Sequence, residues 1–166
     1  LLLPATTLGV GCYVAMFEEC SNLRTCPKLP ANKLAKRCYA FMFENCAKLE
    51  KCPSLPATTL ADWCYYKMFH GCTNLQTTPE LPATTLDDEC YERMFYSCTS
   101  KKFKLSEETK TTLVKAIAES LGINEGEQQK PINNVKQNLR KIIFKHCNKM
   151  FANTRYESIF KNWYVM

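Results

Sequence analysis

Eleven cysteines and two histidines are the side chains in this 166-residue sequence that could ligate a metal or attack an electrophile. A structural zinc site needs four thiolate or imidazole ligands, ordinarily delivered in close pairs such as Cys-x-x-Cys. No such pair occurs, and the nearest approaches are His70-Gly71-Cys72 and His146-Cys147. Nucleophilic catalysis needs a thiol within hydrogen-bond reach of a base. His146 and Cys147 are chain neighbours, which on a helix point about 100° apart and form no dyad. Leu-Pro-Ala-Thr-Thr is similar to the sortase signal Leu-Pro-x-Thr-Gly, but it lacks the glycine and recurs inside the chain. The expectation is a non-catalytic protein with no catalytic residue, no cofactor and no metal.

What accounts for the cysteines is a 26-residue period written four times. Leu-Pro opens each copy at Leu3, Leu29, Leu55 and Leu81. Cys12-Tyr13, Cys38-Tyr39, Cys64-Tyr65 and Cys90-Tyr91 follow, then Met16-Phe17, Met42-Phe43, Met68-Phe69 and Met94-Phe95. A second cysteine comes at Cys20, Cys46, Cys72 and Cys98, and a third slot holds Cys26, Cys52 and then Thr78. Ten of the eleven cysteines thus fall in three recurring slots. Stacked repeats turn equivalent residues into buried columns, and cysteine is a small hydrophobe well suited to one. Reduced, buried thiols are therefore favoured. Some disulfides are the alternative, since adjacent rungs about 5 Å apart are within disulfide reach.

The elements that must carry these columns are read from the third copy. Leu60, Cys64, Met68 and Cys72 recur every fourth residue beside Tyr65 and Phe69, which predicts one apolar stripe of a helix over 59–71. Thr58 or Thr59 would cap it, and Gly71 would release the chain. Asn74 to Pro79 predicts a short strand in parallel register with the segments around Leu23 and Leu49. One strand and one helix per turn give an α/β solenoid. Strands stack at about 4.8 Å and helices at about 8–10 Å, so the array should curve with its strands on the concave side. The expected core is Leu8, Cys12, Tyr13, Met16, Phe17, Cys20, Leu23 and their equivalents. A helix-bundle core is the alternative, and it leaves Leu-x-x-Cys/Thr-Pro interrupting every helical pair.

The run Met42-Phe43-Glu44-Asn45-Cys46-Ala47-Lys48-Leu49, repeated as Met68-Phe69-His70-Gly71-Cys72-Thr73-Asn74-Leu75, resembles the BspA-like branch of leucine-rich repeats. That branch carries an aromatic-x-x-Cys-x-x-Leu stretch in each repeat. The resemblance covers residues 1–100. The 26-residue period is longer than usual there, and Leu-Pro-Ala-Thr-Thr-Leu replaces a more aliphatic strand ending. It implies a curved solenoid used for protein recognition, often in bacterial surface adhesins, and so a cell-surface or secreted location. Many reduced cysteines would suit the cytoplasm instead.

Positions that vary between copies should face water. On the strand side these are Arg24, Thr25, Lys28, Glu50, Lys51, Ser54, Gln76, Thr77 and Glu80, the expected partner-binding set. On the predicted helix they are 35–37, 40, 41, 44 and 45 and their equivalents. The pattern stops at Lys101, where a leucine is due. Residues 1–100 hold nine Lys/Arg against ten Asp/Glu, and residues 101–166 thirteen against six. A domain boundary near residue 100 follows, with a basic, all-α C-terminal cap or domain over 101–166. A degenerate strand is expected at Lys101–Leu105, then helices from Ser106 to Gly122, Ile132 to about Met150, and Thr154 to Trp163. Lys136, Arg140, Lys141, Lys145 and Lys149 share one face of the second, so an intracellular scaffold contacting nucleic acid is the alternative function. No apolar run approaches the roughly 20 residues that span a bilayer. The chain opens part-way through a period, as a processed fragment would, and its open first rung is a candidate for self-association.

Overall fold

The computed structural model describes residues 3–104 and, beyond them, Ser106, Glu108, Thr109, Thr111, Thr112, Lys115 and Met150. Where the helix was expected, each repeat instead runs through consecutive turns, over 10–19, 36–45, 62–71 and 88–97. The backbone shows why this is no helix. Even-numbered residues donate locally, three residues back, as Cys64 does to Ala61 and Tyr66 to Trp63. Odd-numbered residues donate out of the repeat, to the carbonyl 25 residues on. Trp63, Tyr65, Lys67, Phe69 and Gly71 thus reach Asp88, Cys90, Glu92, Met94 and Tyr96 at 2.9–3.0 Å. The first two junctions carry the same five bonds, at 2.7–3.1 Å. An α-helix would send every N–H to the carbonyl four residues back and leave none for a neighbour.

Alternate turns have a left-handed residue at their third position. These are Gly11, Ala15, Glu19; Arg37, Phe41, Asn45; Trp63, Lys67, Gly71; and Glu89, Arg93, Ser97, with φ between 51° and 70°. That position of a type II turn requires positive φ, and a non-glycine residue there costs about 1–2 kcal/mol. Gly71 is needed for a second reason: a Cβ on it would collide with the Asn45 Oδ1.

The strand side is equally sparse. Among the described residues it contributes isolated parallel bridges, Lys33 with Thr59 and Thr77 with Lys104. Single main-chain bonds such as Gln76 N–H to the Glu50 carbonyl, 3.0 Å, supplement them. Successive turn segments are joined by main-chain hydrogen bonds of 2.7–3.1 Å, so they do not stand at the 8–10 Å helix spacing on which the expected curvature depends. Tyr13, Tyr39, Tyr65 and Tyr91 form one column with centroids 5.8–5.9 Å apart. Phe17, Phe43, Phe69 and Phe95 form another at 5.5–5.6 Å. Both are within the range of favourable ring stacking.

The core consists of the expected columns. Cys38, Tyr39, Met42, Phe43, Cys46 and Leu49 are buried, as are their equivalents in the third repeat. In the first repeat Leu8, Tyr13, Phe17 and Leu23 are half-buried while Cys12, Met16 and Cys20 are exposed. At the other end Lys104 pairs with Thr77 at a separation one residue longer than that of Lys33 and Thr59. Phe103 beside Lys104 is fully buried, its ring 5.7 Å from that of Phe95. Residues 108, 109, 111, 112 and 115 are helical, and the Ser106 Oγ accepts the Thr109 N–H as an N-cap, the start expected of the first C-terminal helix. Met150, expected to end the second, lies in a turn and is buried. Its carbonyl takes the Phe95 N–H at 2.9 Å, as Met94 takes that of Phe69. The rest of that helix and the whole of the third lie outside the described residues.

Ala15→Gly and Ser97→Gly separate a turn from a helix. A helix interior would lose about 1 kcal/mol to each glycine; at φ near 55–60° each should be neutral or stabilising by up to about 1 kcal/mol. Gly71→Ala should cost about 1–3 kcal/mol, from positive φ and the displaced Asn45. Urea denaturation of the three variants checks both statements.

Candidate recognition surface

Two files of variable side chains run across the repeats. On the strand side the Arg24 guanidinium lies 3.4 Å from Glu50 Oε1, and the Gln76 amide donates to Glu50 Oε2 at 3.2 Å. Lys48 donates to Asn22 in the same way, at 2.8 Å. The partners in each pair are 26 residues apart, so each is the same slot in successive repeats. At the C-terminal end of this file Glu50, Asn74, Gln76, Ser100, Lys101 and Lys102 line an open cleft of about 400 Å³. Thr25, Lys51 and Thr77, and Lys28, Ser54 and Glu80, are exposed on the same repeats. Arg24, Glu50 and Gln76 are therefore brought together as expected of neighbours in a stack, and the other six flank them along the chain. Asn74, Ser100, Lys101 and Lys102 lie outside the expected set. The signal was there, in the lysines that stand where the leucine period breaks.

The second file runs along the turns and is more tightly committed. Glu44 is buried, its Oε1 2.6 Å from His70 Nδ1 and 3.7 Å from Lys67 Nζ. Lys67 lies over the Phe41 and Tyr66 rings, and His70 meets the Tyr96 ring edge-on. Arg37 covers the Trp63 ring at 4.3 Å, and the Trp63 indole N–H donates to Glu89 at 2.6 Å. Side-chain exposure separates the Glu44 cluster from the strand file, while the Lys36–Asp62 ion pair on the turns is as open as the strand file, at 52% and 45%. Arg24 and Glu50 are 66% and 45% exposed, whereas Lys67, His70 and Glu44 are 20%, 23% and 9% exposed. The Glu44, Lys67 and His70 cluster is spent on register between repeats. The strand file keeps its donors and acceptors in water, where an exposed ion pair contributes only about 0–1 kcal/mol.

The thiols have structural partners. Cys46, Cys72 and Cys98 donate to the carbonyls of Phe17, Phe43 and Phe69 in the preceding repeat, at 3.1–3.2 Å. Cys26 and Cys52 donate the other way, to Lys51 and Thr77 of the following repeat. Thr78 continues the third slot with a hydroxyl that accepts the Ser106 N–H and contacts Thr109. The ten described cysteines are all free thiols. His70 and Cys72 turn to different partners, Glu44 and the Phe43 carbonyl, so their adjacency makes no joint site. No group of three His, Cys, Asp or Glu among the described residues is placed to hold a metal. No helix among them is long and apolar enough to cross a membrane. Lys136, Arg140, Lys141, Lys145 and Lys149, and the pair His146-Cys147, lie outside the described residues.

Comparison with known proteins returns no matching family model, no matching curated protein and no matching solved structure.

Burial controls the thiol chemistry. Loss of water around the thiolate pushes Cys38 and Cys90 from the ordinary 9.0 up to about 12. At neutral pH a thiol reagent should modify Cys12 and Cys20 in the folded protein and reach the buried columns only on unfolding. The folded state holds these protons more tightly than the unfolded one. Their contribution to stability is therefore complete below pH 9 and lost as pH rises toward 12. Urea midpoints should be level from pH 7 to 8.5 and fall steadily above 9.

Proposed function

We propose that this chain is a non-catalytic protein-recognition module, a short repeat solenoid that binds its partner along the strand-side file. The observation that carries the reading is the Arg24–Glu50–Gln76 chain of contacts across three successive repeats, exposed at Arg24 and Glu50, part-buried at Gln76 and ending in the cleft lined by Lys101 and Lys102. A surface that changes residue type from repeat to repeat while the core stays constant suits recognition, because the core can be kept while the contact residues vary. The cleft supplies amide, hydroxyl and ammonium donors around a carboxylate already engaged by Arg24 and Gln76. The partner group that fits is an acceptor, such as an acidic side chain. The resemblance to BspA-like repeats adds adhesion at a bacterial cell surface as the setting for such a module.

The test uses a photocrosslinking amino acid at Thr77, beside the file, to capture and identify the partner. Arg24→Ala, Glu50→Ala and Gln76→Ala together should cut crosslinking at least tenfold while the melting temperature moves by no more than a degree or two. Equal crosslinking by the triple variant would sink the proposal.

A further inference from the structure

Every junction in the stack has the same polarity. The even-numbered carbonyls of the second repeat, from Lys36 to Glu44, accept N–H groups from the first, and those of the third and fourth repeats accept from the second and third. The matching row in the first repeat is Val10, Cys12, Val14, Met16 and Glu18, and no N–H among the described residues reaches any of these carbonyls. The side chains there are as uncovered as the backbone. Val10 is 75% and Met16 48% exposed, whereas Met42, Met68 and Met94 are fully buried. Cys12 and Cys20 are exposed, while Cys38 and Cys46 are at 0%. This face lies at the opposite end of the stack from the cleft.

We infer that this face is the docking site for one further repeat of the same 26-residue pattern, stacked before the first and supplying alternate N–H groups to the five carbonyls. The sign of the hydrogen-bonding groups selects the occupant. Two copies of the chain meeting through this face would set acceptors against acceptors and bury them without donors. The opposite end of a second copy does not serve either. There the Phe95 N–H is already taken by the Met150 carbonyl, and Phe103 and Met150 are buried over it. The occupant must offer an N–H at every second residue, with methionine, aromatic and small side chains in register. The repeat itself is such an edge.

The experiment places a copy of residues 27–52 directly before the full chain. The extended protein should melt about 5 °C higher or more, since a nearest-neighbour interface is added to a stack. Labelling of Cys12 and Cys20 should slow at least tenfold. Met16→Lys should leave the original chain's melting temperature unchanged, because that side chain is exposed, and should cancel the gain in the extended one. A scrambled 26-residue extension should do nothing. An extended protein that melts no higher, fails to fold, or leaves Cys12 and Cys20 equally reactive overturns the inference. So does an unextended chain that sediments as a dimer with those two thiols protected, which would make the occupant a second copy.

Discussion

The structure depends on a division of labour along the main chain of each turn segment. Odd residues give their N–H to the next repeat and their carbonyl to a local turn, and even residues do the reverse. Across the inner repeats this satisfies each buried polar group of the segment without helix or sheet, as burial demands. The cross-repeat bonds are the shorter set, 2.7–3.1 Å against 2.9–3.4 Å for the local ones. The left-handed residue at every fourth position is the conformational cost of aiming alternate N–H groups sideways. That cost is tolerable because it occurs where the chain gains five intermolecular-style bonds per junction.

The ladder sets the distance between repeats, and the distance decides which side chains can occupy the interior. At 5.5–5.9 Å, identical rings lie nearly parallel, with interplanar angles of 3–11° in the two columns. A slot beside a carbonyl of the preceding repeat has room for a small group and a use for a donor, and a thiol meets both needs at Cys46, Cys72 and Cys98. Alanine would fit but donate nothing, while a larger hydrophobe would force the ladder apart. The cysteine-rich composition is thus a packing and hydrogen-bonding requirement. The hydroxyls of Tyr39 and Tyr91 are the buried side-chain groups among the described residues that the ladder leaves without a partner.

The period, the core columns and the break at Lys101 were legible because burial repeats whatever the local backbone does. The backbone departs from the expected helix, and Leu60, Cys64, Met68 and Cys72 hold the reason. A helix advances 400° in four residues, so strict spacing by four drifts about 40° per step and carries the stripe around the helix. A helical stripe alternates threes and fours; the Leu60, Cys64, Met68 and Cys72 series keeps to fours. Unbroken fours fit a backbone that repeats every four residues, as the left-handed positions do. Trp63 and Phe41 at positive φ gave no warning, since bulky residues are unusual there. The strand-side file was legible from variation alone. The role of Met150 was hidden by distance: Met150-Phe151 repeats the Met-Phe pair, but 56 residues after Met94 rather than 26.

If the proposed recognition function holds, the same ladder limits where it can reside. Along the turns, both main-chain groups of each inner residue are engaged, and the variable side chains are largely drawn into contacts with the repeat on either side. Changing Glu44 or Trp63 to suit a partner would forfeit a contact that holds register, so those positions are less free to change. On the strand side, main-chain pairing among the described residues is confined to scattered bridges, and Arg24 and Glu50 are solvated. Their contacts contribute little to stability, and replacing any one of them leaves the columns beneath untouched. Surfaces that evolve new partners need that independence. In this molecule the ladder leaves it to the strand side.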